Sequence, residues 1–280
     1  MTAGVDTVRA LRERTGAGIM DCKAALTASN GDMEKAVDFL RKKGIASAAK
    51  RAGREAKEGL VGIQINGQEA VLVEANCETD FVARTEDFKA LLQLAMQETA
   101  SQGEKALTSE KLTQRVAELS GKIGEKILVR RAQKLHSSGG TFFSYLHSNQ
   151  KLGVVVELAS GKTDSHKSAA FQELGKNLAM QVAAANPLCL TRAEVPAQAL
   201  EREKAIYREE IKGKPENIVE KILIGKLDKF YQSNCLMEQP FIKDDKQSVK
   251  ALVEQAAKQL GDGLQVKQFV RFQLGETAAQ

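Results

Sequence analysis

The eleven residues from Glu74 to Arg84, Glu-Ala-Asn-Cys-Glu-Thr-Asp-Phe-Val-Ala-Arg, bring carboxylates, a thiol, an aromatic ring and a guanidinium into one short run. Val71, Val73 and Ala75 alternate with Leu72 and Glu74, so the approach to this run reads as a β-strand. Thr79 and Asp80 are turn and cap residues that stop the strand. Phe81 and Val82 then sit just past a strand end, where loops hold binding residues on a rigid base. Two chemistries are open. A ring beside a carboxylate is a wedge for a partner's surface, or it plugs its own core. Cys77 with the distant His147 would make a thiol–imidazole pair, but a Cys on a strand reads first as a small core residue.

Other chemistries find no motif. There is no Gly-x-x-x-x-Gly-Lys-Ser/Thr loop and no Gly-x-Gly-x-x-Gly after a strand. Gly121-Lys122-Ile123-Gly124 lacks the length and the hydroxyl of a phosphate loop, so the chain is expected to bind no nucleotide directly. His136, His147 and His166 show no ligand spacing with cysteine, which argues against zinc. The expectation is a protein that is not an enzyme, with no cofactor, no metal and no catalytic residues.

The chain has 280 residues, enough for about two domains, and a hydrophobic content of 42% that can supply a core. Aromatics make up 5% and tryptophan is absent, which points to Ala- and Leu-rich helical packing. The net charge of +5 is short of a nucleic-acid binder's basic footprint. Cys22, Cys77, Cys189 and Cys235 are widely spaced, and no Cys-x-x-Cys pair occurs. No stretch reads as a signal peptide, a transit segment or a membrane span. A cytoplasmic protein with reduced thiols and no membrane contact is expected.

The elements that would position the run can be laid out from spacing. Val5, Val8 and Leu11 have helical spacing ended by Thr15-Gly16, and Ile19, Cys22 and Leu26 line a second helix with Ala25 beside them. Met20 lies off that stripe, either exposed for a partner or filling a gap under the first helix. Asn30-Gly31 turns the chain, Asp32 caps a third helix packed through Met33, Ala36, Val37 and Leu40, and Gly44 is expected to end it. Residues 45–58 read as a connector. Its bases, with those just before it, are Arg41, Lys42, Lys43, Lys50, Arg51, Arg54 and Lys57. They suit either an acidic or RNA partner or a solvated helical linker, and the linker is the preferred reading. No aromatic is interleaved, which argues against a stacking platform for RNA.

An internal repeat follows. Leu72-Val73-Glu74 is echoed by Val155-Val156-Glu157, Phe88 by Phe171, and Leu94-Ala95-Met96-Gln97 recurs as Leu178-Ala179-Met180-Gln181, all at an offset of 83 or 84. Val129-Arg130, in a strand expected over 126–133, is echoed by Val270-Arg271 at an offset of 141, so about 57 residues are inserted in the second copy. A duplicated α+β core with halves packed together is the implied class. Within the insertion, Leu200, Tyr207 and Ile211 mark one helix, and Ile218, Ile222 and Phe230 another. Gly213-Lys214-Pro215 turns between them, giving an antiparallel hairpin. Its many charges favour an exposed arm over a pair folded onto the core.

Two motifs carry a resemblance to a known family. Leu11 to Leu26, Leu-Arg-Glu-Arg-Thr-Gly-Ala-Gly-Ile-Met-Asp-Cys-Lys-Ala-Ala-Leu, resembles the first motif of bacterial elongation factor Ts, and Glu74 to Arg84 resembles its second, built around Thr-Asp-Phe-Val. The similarity of layout extends over nearly the whole chain. Ala24 and Ala75 depart mildly from the family pattern, and a C-terminal helix present in some relatives is expected to be lacking after the last strand, 269–276. The resemblance implies an α+β chain divided as follows: a UBA-like helical domain at 1–45, a basic linker at 46–58, a core half at 59–140, a second half at 141–186 with 236–276, a coiled-coil hairpin at 187–235 and a short tail at 277–280. It implies a guanine-nucleotide exchange factor that binds elongation factor Tu with GDP and displaces its Mg²⁺. Thr79, Asp80, Phe81 and Val82 would do this, Leu11, Ile19 and Met20 would grip the GTPase domain, and Ile123, Gly124 and His147 would touch another domain. The alternative is a UBA-like scaffold or a ribosome- or RNA-bound adaptor without exchange activity.

Overall fold

The computed structural model describes residues 4–213 and 215–276. Lys214 of the expected turn and the tail at 277–280 lie outside the described residues.

Helix α1 (Val5–Thr15) ends where Gly16 turns left-handed at φ 66°, and its N–H reaches back to the Arg12 carbonyl. Helix α2 (Ile19–Ala28) follows, and Asn30 and Gly31, at φ 51° and 84°, make the expected turn. Asp32 caps α3 (Met33–Arg51) by accepting from the Lys35 N–H at 3.1 Å. Leu11, Cys22, Ala25, Leu26 and Ala36 form the core of this helical head. Val5 and Ile19 do not join it, being 84% and 57% exposed.

Helix α3 does not stop at Gly44 but runs on to Arg51. The cause is a crossing with a later helix, α6 (Glu110–Ile123), where a Cβ on Gly121 would lie 3.1 Å from the Gly44 Cα. Two glycines face to face let the backbones approach, so Gly44 serves packing rather than termination. Much of the expected linker is therefore helix, and several of the bases in and beside it are engaged. Arg51 donates to the Ser120 carbonyl, Arg54 pairs with Glu78, Lys43 with Asp21 and Lys57 with Glu55.

Strands β1 (Glu58–Asn66), β2 (Glu69–Cys77) and β3 (Leu128–His136) form one antiparallel sheet with β2 central. Strand β3 begins two residues later than the spacing suggested. After β2 come a single helical turn, α4 (Asp80–Ala83), and the long α5 (Glu86–Gln102). Val71, Val73, Ala75 and Cys77 on one face of β2 pack against Phe88, Leu91, Leu92 and Ala95 of α5. A second antiparallel sheet, β4 (Gly140–Leu146), β5 (Leu152–Ser160) and β8 (Leu264–Gln273), has β5 central and α7 (Ala169–Ala185) on its outer face. The inner faces meet through Val61, Ala70, Leu72 and Leu135 against Phe142, Val155 and Phe272. Helices and antiparallel sheets thus make an α+β protein.

The pairing shows where the repeat echo misleads. Glu74 faces Arg131 and Glu157 faces Gln268, and after each the register shifts by one residue, Arg130 of β3 or Lys267 of β8 being left without an opposite number. That register sets the last-strand offset at 137, so the Val-Arg echo at 141 is a chance match four residues out of step.

Helices α8 (Ala197–Glu210) and α9 (Glu216–Asn234) form the arm, and no residue of α8 is buried. Leu188 and Cys189 bond the Asn234 carbonyl, and the Leu236 and Met237 N–H groups bond Cys189 and Leu190, closing the neck. Strands β6 (Pro240–Phe241) and β7 (Asp244–Ser248) make a small hairpin before α10 (Val249–Leu260), which packs with α7.

Gly121→Val should push α3 off α6. We expect it to lower stability by about 1–3 kcal/mol, read from the urea midpoint. An unchanged midpoint would mean that the crossing has room to spare.

Candidate functional site

The run after β2 is not a loose turn. Thr79 caps α4 by accepting from the Val82 N–H at 3.4 Å, so Asp80, Phe81, Val82 and Ala83 form one helical turn. Val82 and Ala83 point inward and are buried in the core under α5. Phe81 points the other way and is 79% exposed. The two openings left by its position are thereby decided: the ring does not plug this core. Asp80 pairs with Arg84 at 2.7 Å on the surface, four residues on. Thr85 ends the turn and caps the next helix by accepting from the Phe88 N–H.

One turn of helix is too short to hold itself in water, because nucleation fixes several dihedrals for a single hydrogen bond. The support comes from the loop after α6. Glu125 Oε2 accepts from the N–H groups of Glu78 and Thr79, both at 3.1 Å, and Oε1 accepts from the Thr79 hydroxyl at 2.7 Å. In return Glu78 accepts from the Lys126 N–H at 2.6 Å and from Arg54 at 3.1 Å. The Lys126 hydrogen bond is the main reason that the Glu78 carboxyl is held below its ordinary pKa. Ser120 donates to the Glu125 carbonyl at 2.6 Å, and the Lys126 ammonium donates to the Ala52 and Arg54 carbonyls.

This bracing brings Ile123 and Gly124 next to the Thr79–Val82 turn. Ile123 ends α6 half-buried against the core, and Gly124 takes the left-handed cap at φ 87°. Ile19 and Met20 open α2, 57% and 74% exposed, and offer apolar surface from the head. Leu11 does not. It is fully buried in the head core, so its expected place on a contact surface is corrected to a packing role under α2. His147 lies just past β4 on the second sheet, exposed, with its Nδ1 2.9 Å from the Tyr145 hydroxyl. With Lys57, Asn149, Lys151 and Gln273 it lines an open cleft of about 410 Å³.

The thiol reading fails on burial. Cys77 is fully buried, its Sγ donates to the Thr79 carbonyl at 3.1 Å, and desolvation pushes its pKa up to about 12. A thiol held protonated inside a core is no nucleophile. Among the described residues no cluster of three His, Cys, Asp or Glu side chains could hold a metal, and no helix is long and apolar enough to cross a membrane. What the site can do is non-covalent: present one rigid ring, beside a carboxylate, to another surface.

Sequence reasoning missed Glu125 and Lys126. They sit in a short polar turn after a helix, and nothing in their spacing says that they reach back to residue 79. The exposure of Phe81 was equally undecided by spacing.

Comparison with known proteins agrees with the motifs. A profile of the family described as Elongation factor TS matches residues 78–276. The chain is 44% identical to the Elongation factor Ts of Prosthecochloris aestuarii, over 96% of this chain and 97% of that protein. It is 44% identical to that of Nitratidesulfovibrio vulgaris, over 100% and 98%. It is 40% identical to that of Lawsonia intracellularis, over 99% and 100%.

A ring that touches little of its own protein contributes little to folding. Phe81→Ala is expected to change unfolding free energy by no more than about 0.5 kcal/mol. Chemical denaturation followed by circular dichroism checks it, and a loss of several times that amount would place the ring in the core after all.

Proposed function

The chain belongs to the elongation factor Ts family, a family of translation elongation factors, and we propose that it acts as a guanine-nucleotide exchange factor for elongation factor Tu. The observation that carries the proposal is the 79% exposed Phe81 on a turn braced from behind. A large ring kept in water on a rigid support is a partner contact.

The action follows from linkage. A factor that binds the empty GTPase more tightly than the GDP-bound one must weaken GDP to the same degree. GDP is held through its phosphates and a Mg²⁺ that belongs to the partner. Phe81, entering near that metal, disturbs the phosphate site and lets Mg²⁺ and then GDP leave. Thr79 and Val82 fix the turn by its cap and by its anchor in the core, and Asp80 sets charge at the point of entry. No covalent bond is made or broken on this chain, and it needs neither a cofactor nor a nucleotide of its own.

Other surfaces supply grip. Ile19 and Met20 of the head, read as UBA-like, fit the GTPase domain. Ile123, Gly124 and His147 fit a second domain. The core reads as two copies of one unit, since both sheets share strand order and a bulge after Glu74 or Glu157, and the arm reads as a coiled-coil insertion in the second copy. Such a factor works in the cytoplasm, with the other translation factors.

The test is release of fluorescent GDP from elongation factor Tu after adding excess unlabelled nucleotide. We expect release to rise with added protein. Phe81→Ala should remove about a hundredfold of that acceleration, the equivalent of losing roughly 3 kcal/mol of ring burial. Wild-type exchange by a folded Phe81→Ala variant would overturn the wedge.

A further inference from the structure

Glu125 is not itself among the predicted partner contacts, yet it makes three hydrogen bonds to the segment that carries the exposed ring. We propose that Glu125 is a positioning residue for exchange: it joins the Phe81 turn to the Ile123–Gly124 loop as one rigid contact, so that force at one is delivered at the other. The proposal rests on the exchange reading above.

The geometry is reciprocal. The Glu125 carboxylate takes two backbone N–H groups and a hydroxyl from residues 78 and 79, while the Glu78 carboxylate takes the backbone N–H of Lys126. Each loop thus supplies the acceptor for the other's unpaired donors. An ionised carboxylate accepts at both oxygens, and bonds to it are roughly twice as strong as neutral ones. All three donors also suit an acceptor-only group. Glutamine could keep an oxygen on the two backbone N–H groups and turn its NH₂ toward the Thr79 hydroxyl, but only by exchanging charged bonds for weaker neutral ones.

The contacts within the turn itself do not do this. Val82 and Ala83 anchor the inner side of the turn, but an apolar anchor tolerates small rotations about itself. Asp80 spends its ion pair on Arg84, within the same turn. Fixing the ring's direction therefore falls to the bonds at residues 78 and 79. Gly124, left-handed at φ 87°, directly precedes Glu125, so any partner contact at Ile123–Gly124 is one residue from the brace. Misplacing a positioned group by about an ångström costs a large factor in rate. A ring on a loosened turn would still bind, but would push less.

The experiment compares wild type, Glu125→Ala, Phe81→Ala and the double variant in the GDP-release assay with saturating factor. Affinity for elongation factor Tu and thermal stability are measured alongside. Glu125→Ala should cut the saturating rate about tenfold while affinity changes less than about threefold. On the Phe81→Ala background the same change should cost less than about twofold, because a residue that acts through the ring has nothing left to position. An equal loss in both backgrounds, or no loss in either, overturns the proposal. Should Glu125→Ala fail to fold, Glu125→Met, of similar length but with no oxygen to accept, replaces it with the same expectations. Amide hydrogen exchange on the free protein decides the brace without the partner. The Glu78 and Thr79 amides should exchange at least about tenfold faster in the variant while those of Val73 and Ala75 hold. Unchanged Glu78 and Thr79 amides overturn the brace. Failure of the wild-type protein to release GDP, with those amides still responding, would reject the exchange reading alone.

Discussion

An exposed phenylalanine has no reason of its own to point in one direction. Water solvates every rotamer of it poorly, and a four-residue turn of helix does not persist without outside bonds. The rest of this molecule is arranged around that constraint. Strand β2 is buried along almost its whole length because helix α5 covers one face and the second sheet covers the other. Its C-terminal end therefore leaves the core at a fixed point, and the chain beyond it begins from a rigid base. Val82 and Ala83 then return into the same core. Phe81 is left outward by elimination, since three residues of one turn cannot all face in.

The second fixed point is the end of α6, and its position depends on contacts from far along the chain. The head's third helix crosses α6 at Gly44 and Gly121. Arg51 reaches the Ser120 carbonyl and Lys126 reaches Ala52 and Arg54. Thus the head, the linker and the first sheet all converge behind the Glu78–Glu125 exchange. The second sheet is tied to the first by a buried carboxylate: Glu74, fully buried, pairs with Arg131 at 2.7 Å and accepts from the Gly275 N–H at 2.9 Å. A charge so buried needs its partners to stay in place. The pairing therefore locks the end of the last strand against the strand that leads into the Phe81 turn.

How much of this was legible in the sequence depended on range. Caps and turns within a few residues were readable: Asp32, Thr79, Gly16 and the Asn30–Gly31 turn all sit where their chemistry places them. The central strands and the hairpin arm followed from periodicity. Gly44 misled because glycine has two uses, ending helices and letting them cross, and only the partner glycine 77 residues later tells which. Leu11 misled because motif membership does not distinguish a residue that touches a partner from one that holds up its neighbours. The last-strand echo misled because two-letter matches recur by chance, whereas register is set by bulges and side-chain faces. Glu125 was invisible for the same reason as Gly121: its meaning lies in a contact across 46 residues.

Rigidity here carries a functional argument. A factor that loosens another protein's grip must spend binding energy on distorting that protein, and any energy absorbed by bending its own loops is lost to the task. A flexible presenter would bind well and exchange poorly. The carboxylates at residues 78 and 125, each accepting from the other's loop, stiffen the turn that carries Phe81. The exposed apolar residues of the head are built differently. Ile19 and Met20 lie at the start of a ten-residue helix packed through Cys22, Ala25 and Leu26, without any comparable carboxylate brace among the described residues. Grip tolerates adjustment, and a soft Met adapts to the surface it meets. On the exchange reading proposed above, the surface that holds is thus built apart from the surface that pushes, and the second is the one with carboxylates bonded across from a distant loop.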